Sequence, residues 1–371
     1  KDSLVYEYLE NNIKEKNVNR FTLKGSQFVK PSFQFPKSCA GCGQTAYIKL
    51  LSQLFKENLV VANATGCSSI YGGNLPNIPY DTPWASSLFE DNAEYGYGMV
   101  IADNVMKNRI RKIMENNLEG VNKELFKKWL NNPKNYEITK EVYENIDYTN
   151  LKELESIKDY IIYKNIWIIG GDGWAYDIGF SGIDHVLSSN DNAKILVLDS
   201  ELYSNTGGQA SKSSPRGTTT TFASSGKKTA KKDLAKIALA YPNTYVATVS
   251  LGANMMQLIK VFKEASEYNG PAIIIAYTPC IAHGFKDGSL KKQKLATQSG
   301  YFPIFRYNPE TKEFNLDSKP NFDLYEEFLN SEARYSMLKL VNKEKAEILL
   351  NQSKEDAIKR YEYYESLVKK N

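Results

Sequence analysis

The sequence predicts an α/β fold of three layers, in which a mostly parallel sheet lies between helices. Short apolar runs at residues 166–169, 194–198 and 272–277 alternate with segments of helical patterning, as expected for parallel strands joined by helices. The first two runs end in residues rich in glycine or side-chain oxygen, which is typical of the ligand-binding edge of such a sheet. The 371-residue chain is 42% hydrophobic and 24% charged, which is ordinary globular composition.

The first elements surround a pair of cysteines. Residues 1–37 predict a linker segment with one short helix. An amphipathic helix is expected from 44 to 55, followed by a strand at 59–62. Residues from about 100 to 160 are rich in Lys, Asn and Glu and poor in glycine, which predicts a helical insertion that covers the sheet.

The sheet is expected to resume at residue 165 and to continue through a helix at 176–187 and a strand at 194–198. Residues 204–226 are rich in Ser, Thr and Gly and predict a long loop, and a loop of that length inside a compact domain is usually functional.

The remaining chain completes the sheet and adds a tail. Strands at 244–249 and 272–277, with a helix to about residue 268 between them, form a βαβ series. Residues beyond 320 are charged and predict helices. We therefore expect a linker at 1–37, a principal domain at 38–319 and a helical C-terminal extension at 320–371.

The chain has four cysteines: Cys39 and Cys42 form a Cys-x-x-Cys pair, and Cys67 and Cys280 are remote from it. Four thiolates suit either a [4Fe–4S] cluster or a structural zinc ion. Zinc sites more often use two close pairs, and unrelated free thiols are the third interpretation. The spacing of the cysteines does not choose among the three.

A second candidate site follows the apolar run at 166–169. Gly171-Asp172-Gly173 places a carboxylate at the end of one predicted strand, and Asp199-Ser200 follows the next strand 27 residues later. Oxygen ligands at neighbouring strand ends can hold Mg²⁺, which usually takes further ligands from a bound phosphate. Gly-Asp-Gly alone is a weak signal, because turns of that composition are common.

Read together, five motifs resemble one family closely. They are Ser38-Cys39-Ala40-Gly41-Cys42-Gly43, the run from Asn63 through Thr65-Gly66-Cys67 to Gly73, Ser87-Leu88-Phe89-Glu90-Asp91-Asn92-Ala93-Glu94, Gly171-Asp172-Gly173-Trp174-Ala175-Tyr176-Asp177, and Tyr203-Ser204-Asn205-Thr206-Gly207-Gly208-Gln209. They look like the C-terminal thiamine-diphosphate domain of the single-chain pyruvate:ferredoxin (flavodoxin) oxidoreductases. The resemblance runs from about residue 25 to at least 307, and it implies the three-layer thiamine-diphosphate-binding fold.

The resemblance implies specific ligands. The family's cluster cysteines map onto Cys39, Cys42, Cys67 and Cys280, and its magnesium ligands map onto Asp172, the Ser200 hydroxyl and the Leu202 carbonyl. Asn205 matches the family's catalytic asparagine. The implied cofactor-binding set is Gln44, Cys67, Gly171, Asp172, Gly173, Trp174, Ser200, Glu201, Leu202, Tyr203, Ser204 and Asn205.

Two positions depart from the family pattern. Ser200 replaces a threonine and keeps the hydroxyl, whereas Gln44 replaces a glutamate that lines the cofactor. An amide can still form hydrogen bonds but carries no negative charge, so Gln44 cannot fill a role that needs a carboxylate.

The implied function is oxidative decarboxylation of pyruvate with coenzyme A to acetyl-CoA and CO₂, with thiamine diphosphate, Mg²⁺ and a proximal [4Fe–4S] cluster as cofactors. The implied partners are the remaining domains of a larger homodimeric enzyme and ferredoxin or flavodoxin. Because Lys1 is not a methionine, we expect a C-terminal piece of a longer polypeptide, inactive by itself. A stand-alone β subunit, an oxidoreductase for another 2-oxoacid and a non-catalytic cofactor- or metal-binding module are the alternatives.

Composition excludes other classes. The chain has no run of 18 apolar residues, no signal peptide and a formal charge of only +4, so we expect neither a membrane nor a nucleic-acid partner. Free thiols indicate a reducing compartment, either the cytoplasm or an anaerobic organelle in a eukaryote. The basic cluster Lys227-Lys228 and Lys231-Lys232 is expected to be a solvated face, and a docking site for an acidic electron carrier is the alternative. His185 is expected to be structural and His283 to pack near the cluster.

Overall fold

The computed structural model describes residues 2–12, 18–72 and 81–368. Lys1 and the last residue of the Asn63-to-Gly73 motif lie outside these ranges, as do parts of the predicted linker and tail. Within the described part of the chain, eight strands form one sheet: β1 Leu59–Ala64, β2 Trp84–Ser87, β3 Asn165–Gly171, β4 Lys194–Asp199, β5 Tyr245–Val249, β6 Ala272–Tyr277, β7 Phe305–Asn308 and β8 Glu313–Leu316.

The strand order is β2-β1-β3-β4-β6-β5-β7-β8. The first six strands are parallel, and β7 and β8 add an antiparallel hairpin at the β5 edge. The predicted α/β fold with a mostly parallel sheet is therefore confirmed. The three strands that the sequence analysis missed, β2, β7 and β8, have four residues each, which is too short for a clear periodicity.

Helices cover both faces of the sheet. They are α1 Asp2–Asn12, α2 Leu23–Ser26, α3 Thr45–Leu54, α4 Cys67–Gly72, α5 Asn92–Glu115, α6 Lys123–Asn131, α7 Tyr136–Asn145, α8 Lys152–Ser156, α9 Phe180–Ser188, α10 Leu234–Ala238, α11 Met255–Glu267, α12 Ser289–Gln298, α13 Tyr325–Asn330, α14 Ala333–Val341 and α15 Lys343–Val368. None of these helices is both long and apolar enough to cross a membrane.

Alternating residues of the central strands divide the core into two layers. On β3, Ile168 belongs to the core layer that also contains residues of α9 and the C-terminal helices, whereas Trp167 belongs to the layer that contains residues of α3 and α11. This alternation follows from the two-residue repeat of a strand buried on both faces.

The predicted helical insertion and the helical tail are both present, although the insertion begins at Asn92 rather than near residue 100. Helices α5 to α8 of the insertion enclose their own apolar cluster, which includes Ile110, Met114, Trp129 and Ile161. The tail helices instead contribute to the main core through Tyr335 and Tyr364. The tail is therefore an integral part of the domain that carries the site.

Candidate cofactor and metal site

The two oxygen-bearing motifs meet at the carboxyl ends of neighbouring strands. Strands β3 and β4 pair in parallel with Gly171 opposite Leu198, and Asp172 and Ser200 are the first residues after these two strands. Asp172 begins a wide helical turn, the π-helix Gly173–Ile178. Both side chains are buried, with Asp172 only 1% exposed.

The three groups predicted to bind Mg²⁺ are adjacent. Asp172 Oδ1 accepts hydrogen bonds from the Ser200 backbone N–H at 3.2 Å and from Ser200 Oγ at 2.9 Å. Ser200 Oγ also lies 3.4 Å from the Leu202 carbonyl oxygen. A second hydroxyl, Ser211 Oγ, donates to Asp172 Oδ2 at 2.5 Å. Sequence reasoning missed Ser211, which lies in the long loop predicted at 204–226.

Burial and the neighbouring Asp199 carboxylate raise the pKa of Asp172 to about 8. A cation bound at Asp172 would supply a positive charge that stabilises the ionised form of this buried carboxylate. Within the described residues, no group of three or more Cys, His, Asp or Glu side chains is arranged to hold a metal. The donor set at Asp172 is different in kind: one carboxylate, one hydroxyl and one carbonyl, which are the hard oxygen ligands that Mg²⁺ prefers, and which leave positions open for phosphate oxygens.

A cavity of about 230 Å³ opens beside these groups. Ten of the twelve residues predicted to bind cofactor line it: Gln44, Cys67, Gly171, Asp172, Gly173, Ser200, Leu202, Tyr203, Ser204 and Asn205. The lining residues outside the predicted set are Thr65, Gly66, Ser68, Phe89 and Thr206. All five lie within the motifs that resemble the family, so their position in those motifs could have identified them as lining residues.

Trp174 and Glu201 do not line this cavity. Trp174 is fully buried and packs beneath the loop, where a Cβ at Gly170 would lie 2.3 Å from its ring. Glu201 is 1% exposed and points away into the protein. Its pKa is lowered to about 2, because Lys231 and Arg334 outweigh the opposing effect of burial.

All four cysteines line a second, larger cavity of about 520 Å³. Cys39 and Cys42 precede α3, Cys67 begins α4, and Cys280 follows β6. The Gly43 N–H donates to the Pro279 carbonyl at 3.1 Å, which joins the Cys-x-x-Cys loop to the Cys280 loop. A Cβ at Gly43 would lie 2.7 Å from that carbonyl oxygen, so only glycine permits this approach.

The thiols are free and influence one another. Burial, and then the neighbouring Cys280, raise the pKa of Cys67 to about 12, and burial also raises the pKa of Cys42. Bound metal would deprotonate such thiols. This second cavity shares Gln44, Cys67, Ser200, Ser204 and Asn205 with the first, so the predicted cluster and cofactor residues form one continuous site.

The expectation of a solvated basic face at Lys231 is wrong. Lys231 Nζ is buried and pairs with Asp199 at 2.7 Å and with Glu201 at 2.9 Å. Lys232 is half-buried and donates to the Tyr176 carbonyl at 3.0 Å. The long loop carries these lysines back across the ends of the strands. The clustering of lysines in the sequence does not reveal this placement.

The two histidines differ. His185 is exposed on α9 and its ring meets the Tyr97 ring edge-on. His283 is fully buried, and its Nε2 lies 2.8 Å from the Ser200 carbonyl oxygen. Because a carbonyl only accepts, Nε2 is the donor, and His283 does more than the packing that the sequence suggested.

The chain is similar in sequence to known thiamine-dependent proteins. Residues 160–276 match the family described as "Thiamine pyrophosphate enzyme, C-terminal TPP binding domain". Over 95% of its length, the chain is 44% identical to pyruvate:ferredoxin oxidoreductase of Moorella thermoacetica and 41% identical to pyruvate-flavodoxin oxidoreductase of Klebsiella pneumoniae. Over 94% of its length, it is 40% identical to pyruvate dehydrogenase (NADP⁺) of Cryptosporidium parvum.

The chain spans only part of each relative. It covers 33% of the Moorella and Klebsiella proteins and 22% of the Cryptosporidium protein. The matched part includes the motifs that surround both cavities.

Proposed function

We propose that this chain, which belongs by sequence to the pyruvate:ferredoxin and pyruvate-flavodoxin oxidoreductases, provides the diphosphate-binding half of a thiamine-diphosphate site and the ligands of an adjacent [4Fe–4S] cluster. The reaction it serves is the oxidative decarboxylation of pyruvate with coenzyme A to acetyl-CoA and CO₂. The observation that carries this proposal is the shared wall between the Asp172–Ser200–Leu202 oxygen site and the four-cysteine cavity.

The oxygen site would hold Mg²⁺ and the diphosphate. Asp172 would supply the charged ligand, and the Ser200 hydroxyl and Leu202 carbonyl would supply two neutral ones, already within hydrogen-bond distance of one another. Thiamine diphosphate held there would supply a nucleophilic carbon for decarboxylation of a 2-oxoacid. The chain's own contribution would be to bind and orient the cofactor, and Asn205, which lines the cavity, would be a catalytic residue.

The buried environment of the oxygen site supports this role. The Asp172 carboxylate is buried beside Asp199, and the nearby cation Lys231 pairs with Asp199 and Glu201. The hydrogen bonds that Asp172 accepts come from two hydroxyl groups and one backbone N–H, all of which are neutral. Burying unpaired charge is costly, so the site favours a bound metal.

The second cavity would hold the iron–sulfur cluster. Among the described residues, four cysteine thiols and no acidic side chain line it, which is the soft donor set of such clusters. In the structure the thiols are not drawn together as a metal site, so cluster binding would bring them closer to one another. A cluster held by these thiols would supply an electron acceptor beside the cofactor site, since the two cavities share a wall. Gln44 and Asn205, which line both cavities, would separate and orient the two groups.

We further propose that the chain works with the remaining domains of a homodimeric enzyme, with ferredoxin or flavodoxin as acceptor, in a reducing compartment that is either the cytoplasm or an anaerobic organelle. Its four free thiols suit such a compartment.

Anaerobic purification followed by iron and sulfide assays and an absorption spectrum tests the proposal. We expect about four irons and four sulfides per chain and a broad band near about 400 nm. Titration calorimetry should detect thiamine diphosphate only when Mg²⁺ is present. Stoichiometric zinc without iron, or cofactor binding that ignores Mg²⁺, would contradict it.

A further inference from the structure

The C-terminal extension contacts the loop that presents the predicted metal ligands. Arg334 on α14 is 4% exposed, and its Nη2 donates to Glu201 Oε2 at 2.7 Å. Glu201 lies between Ser200 and Leu202 in sequence. A side chain 133 residues away therefore binds the one residue that separates two predicted Mg²⁺ ligands.

The backbone at Glu201 needs such support. Its φ of 59° lies in the left-handed region, which non-glycine residues occupy only at a cost. The turn brings the Leu202 carbonyl back to within 3.4 Å of Ser200 Oγ. The conformation that forms the oxygen site is thus one that an isolated loop would not favour.

Both carboxylate oxygens of Glu201 are held. Oε1 accepts from Lys231 Nζ at 2.9 Å, while Oε2 accepts from Arg334 and from the Tyr301 hydroxyl. Tyr301 Oη in turn accepts from Arg334 Nη2 at 3.0 Å. Each group is buried, so these charge-assisted hydrogen bonds are protected from water.

A second chain of contacts runs from the same segment to Ser200. Arg334 Nε donates to Glu332 Oε2 at 2.7 Å, and Glu332 Oε1 lies 3.7 Å from His283 Nδ1. His283 Nε2 donates to the Ser200 carbonyl. The Glu332–Arg334 segment thereby reaches two consecutive residues of the metal loop from one side.

We propose that Arg334 is a positioning residue for Mg²⁺-diphosphate binding, which acts by holding Glu201 in the turn that aligns Ser200 Oγ with the Leu202 carbonyl. The C-terminal extension is then part of the cofactor site's outer shell. This inference rests on the proposed function, because it assigns Arg334 a role in the same metal site. Outer-shell partners of metal ligands typically contribute about 10- to 100-fold to affinity.

The test measures binding of Mn²⁺, a paramagnetic substitute for Mg²⁺, together with thiamine diphosphate to the 371-residue chain. Electron paramagnetic resonance reports the free and bound ion, and calorimetry reports cofactor affinity. We expect Arg334→Gln to weaken metal-dependent cofactor binding by about tenfold or more. Arg334→Lys should recover part of the loss, since it restores one charged donor.

Two further variants separate positioning from general stability. Tyr301→Phe keeps the packing and removes one donor from Glu201, so we expect a smaller loss of affinity with little change in thermal unfolding. Asp356→Asn breaks the half-exposed Arg216–Asp356 pair, another contact between the tail and the long loop that does not involve Glu201. Its affinity should equal that of the wild type.

Unchanged Mn²⁺ and cofactor affinity in both Arg334→Gln and Tyr301→Phe would overturn the inference, as would an equal loss in Asp356→Asn. Absence of metal-dependent binding in the wild-type chain would instead contradict the proposed function and remove the basis of this inference with it. If Arg334→Gln does not fold, the comparison of Tyr301→Phe with Asp356→Asn decides.

Discussion

The His283 imidazole donates a hydrogen bond to the Ser200 carbonyl oxygen across 2.8 Å, and this contact joins the two halves of the site. His283 follows Cys280, a predicted cluster ligand, by three residues, while Ser200 carries the hydroxyl predicted to bind Mg²⁺. The Thr278 N–H, which donates to the Asp199 carbonyl at 2.9 Å, is a second link between the same two segments. We therefore expect occupancy of the thiol cavity to influence the shape of the oxygen site.

Replacing His283 tests this coupling. His283→Phe retains an aromatic ring but leaves the buried Ser200 carbonyl without its donor, which costs about 1–3 kcal/mol of stability. We expect weaker Mg²⁺-dependent cofactor binding, measured by calorimetry, with iron content unchanged because all four thiols remain. His185→Gln, at the exposed histidine, is the matched control. Wild-type cofactor affinity in His283→Phe would show that the hydrogen bond has no role in the site.

Asp172 is the only charged group among the three predicted Mg²⁺ ligands. Asp172→Asn keeps its shape and removes its charge, so we expect Mg²⁺-dependent affinity for thiamine diphosphate to fall by about 100-fold or more, beyond the usual effect of an outer-shell change. Asp184→Asn on α9, whose carboxylate accepts from the Tyr241 hydroxyl, provides a control for loss of a nearby carboxylate. Ser200→Thr should bind normally, since it keeps the hydroxyl. Unaltered affinity in Asp172→Asn would place the metal elsewhere.

The location of Asp172 and Ser200 could be predicted from sequence because each follows a buried strand directly, and parallel strands bring their carboxyl ends together. The four cysteines could be predicted from the sequence motifs in which they lie. Arg334 and Lys231 could not be found by such reasoning. Their partners lie 133 and 30 residues away, and no local pattern records which cation a folded loop brings to a buried carboxylate.

Cluster assembly should require each thiol. Cys280→Ser removes the ligand that arrives from β6, and we expect the iron content of anaerobically purified protein to fall well below the wild-type value, with loss of the broad visible band. Ser38→Ala changes another residue of the same cavity without removing a thiol, and its iron content should be normal. Full iron and sulfide in Cys280→Ser would show that Cys280 is not a ligand.

Gln44 lines both cavities, and its Oε1 accepts a hydrogen bond from the Tyr71 hydroxyl at 3.0 Å. Gln44→Ala should weaken thiamine-diphosphate binding by about three- to tenfold, the effect of one lost hydrogen bond. Gln44→Glu introduces the glutamate that the pyruvate:ferredoxin (flavodoxin) oxidoreductases have at this position. This variant should bind thiamine diphosphate at least as well as the wild type. If Gln44→Ala binds the cofactor normally in calorimetry, this residue does not contact it.

The final prediction concerns the packing beneath the Asp172 loop. A Cβ at Gly170 would lie 2.3 Å from the Trp174 ring and 2.8 Å from Ala64 Cβ, so Gly170→Ala forces the indole or the β1 strand to move. Overpacking of this kind costs about 1–3 kcal/mol, and we expect a lower thermal midpoint together with weaker cofactor binding. Gly98→Ala is the control, because nothing lies within 4 Å of its added Cβ in the interior of α5. That change should raise stability by about 0.5–1 kcal/mol, since alanine favours helix over glycine. Equal behaviour of the two variants in thermal unfolding would show that Trp174 is not packed as tightly under the loop as the structure indicates.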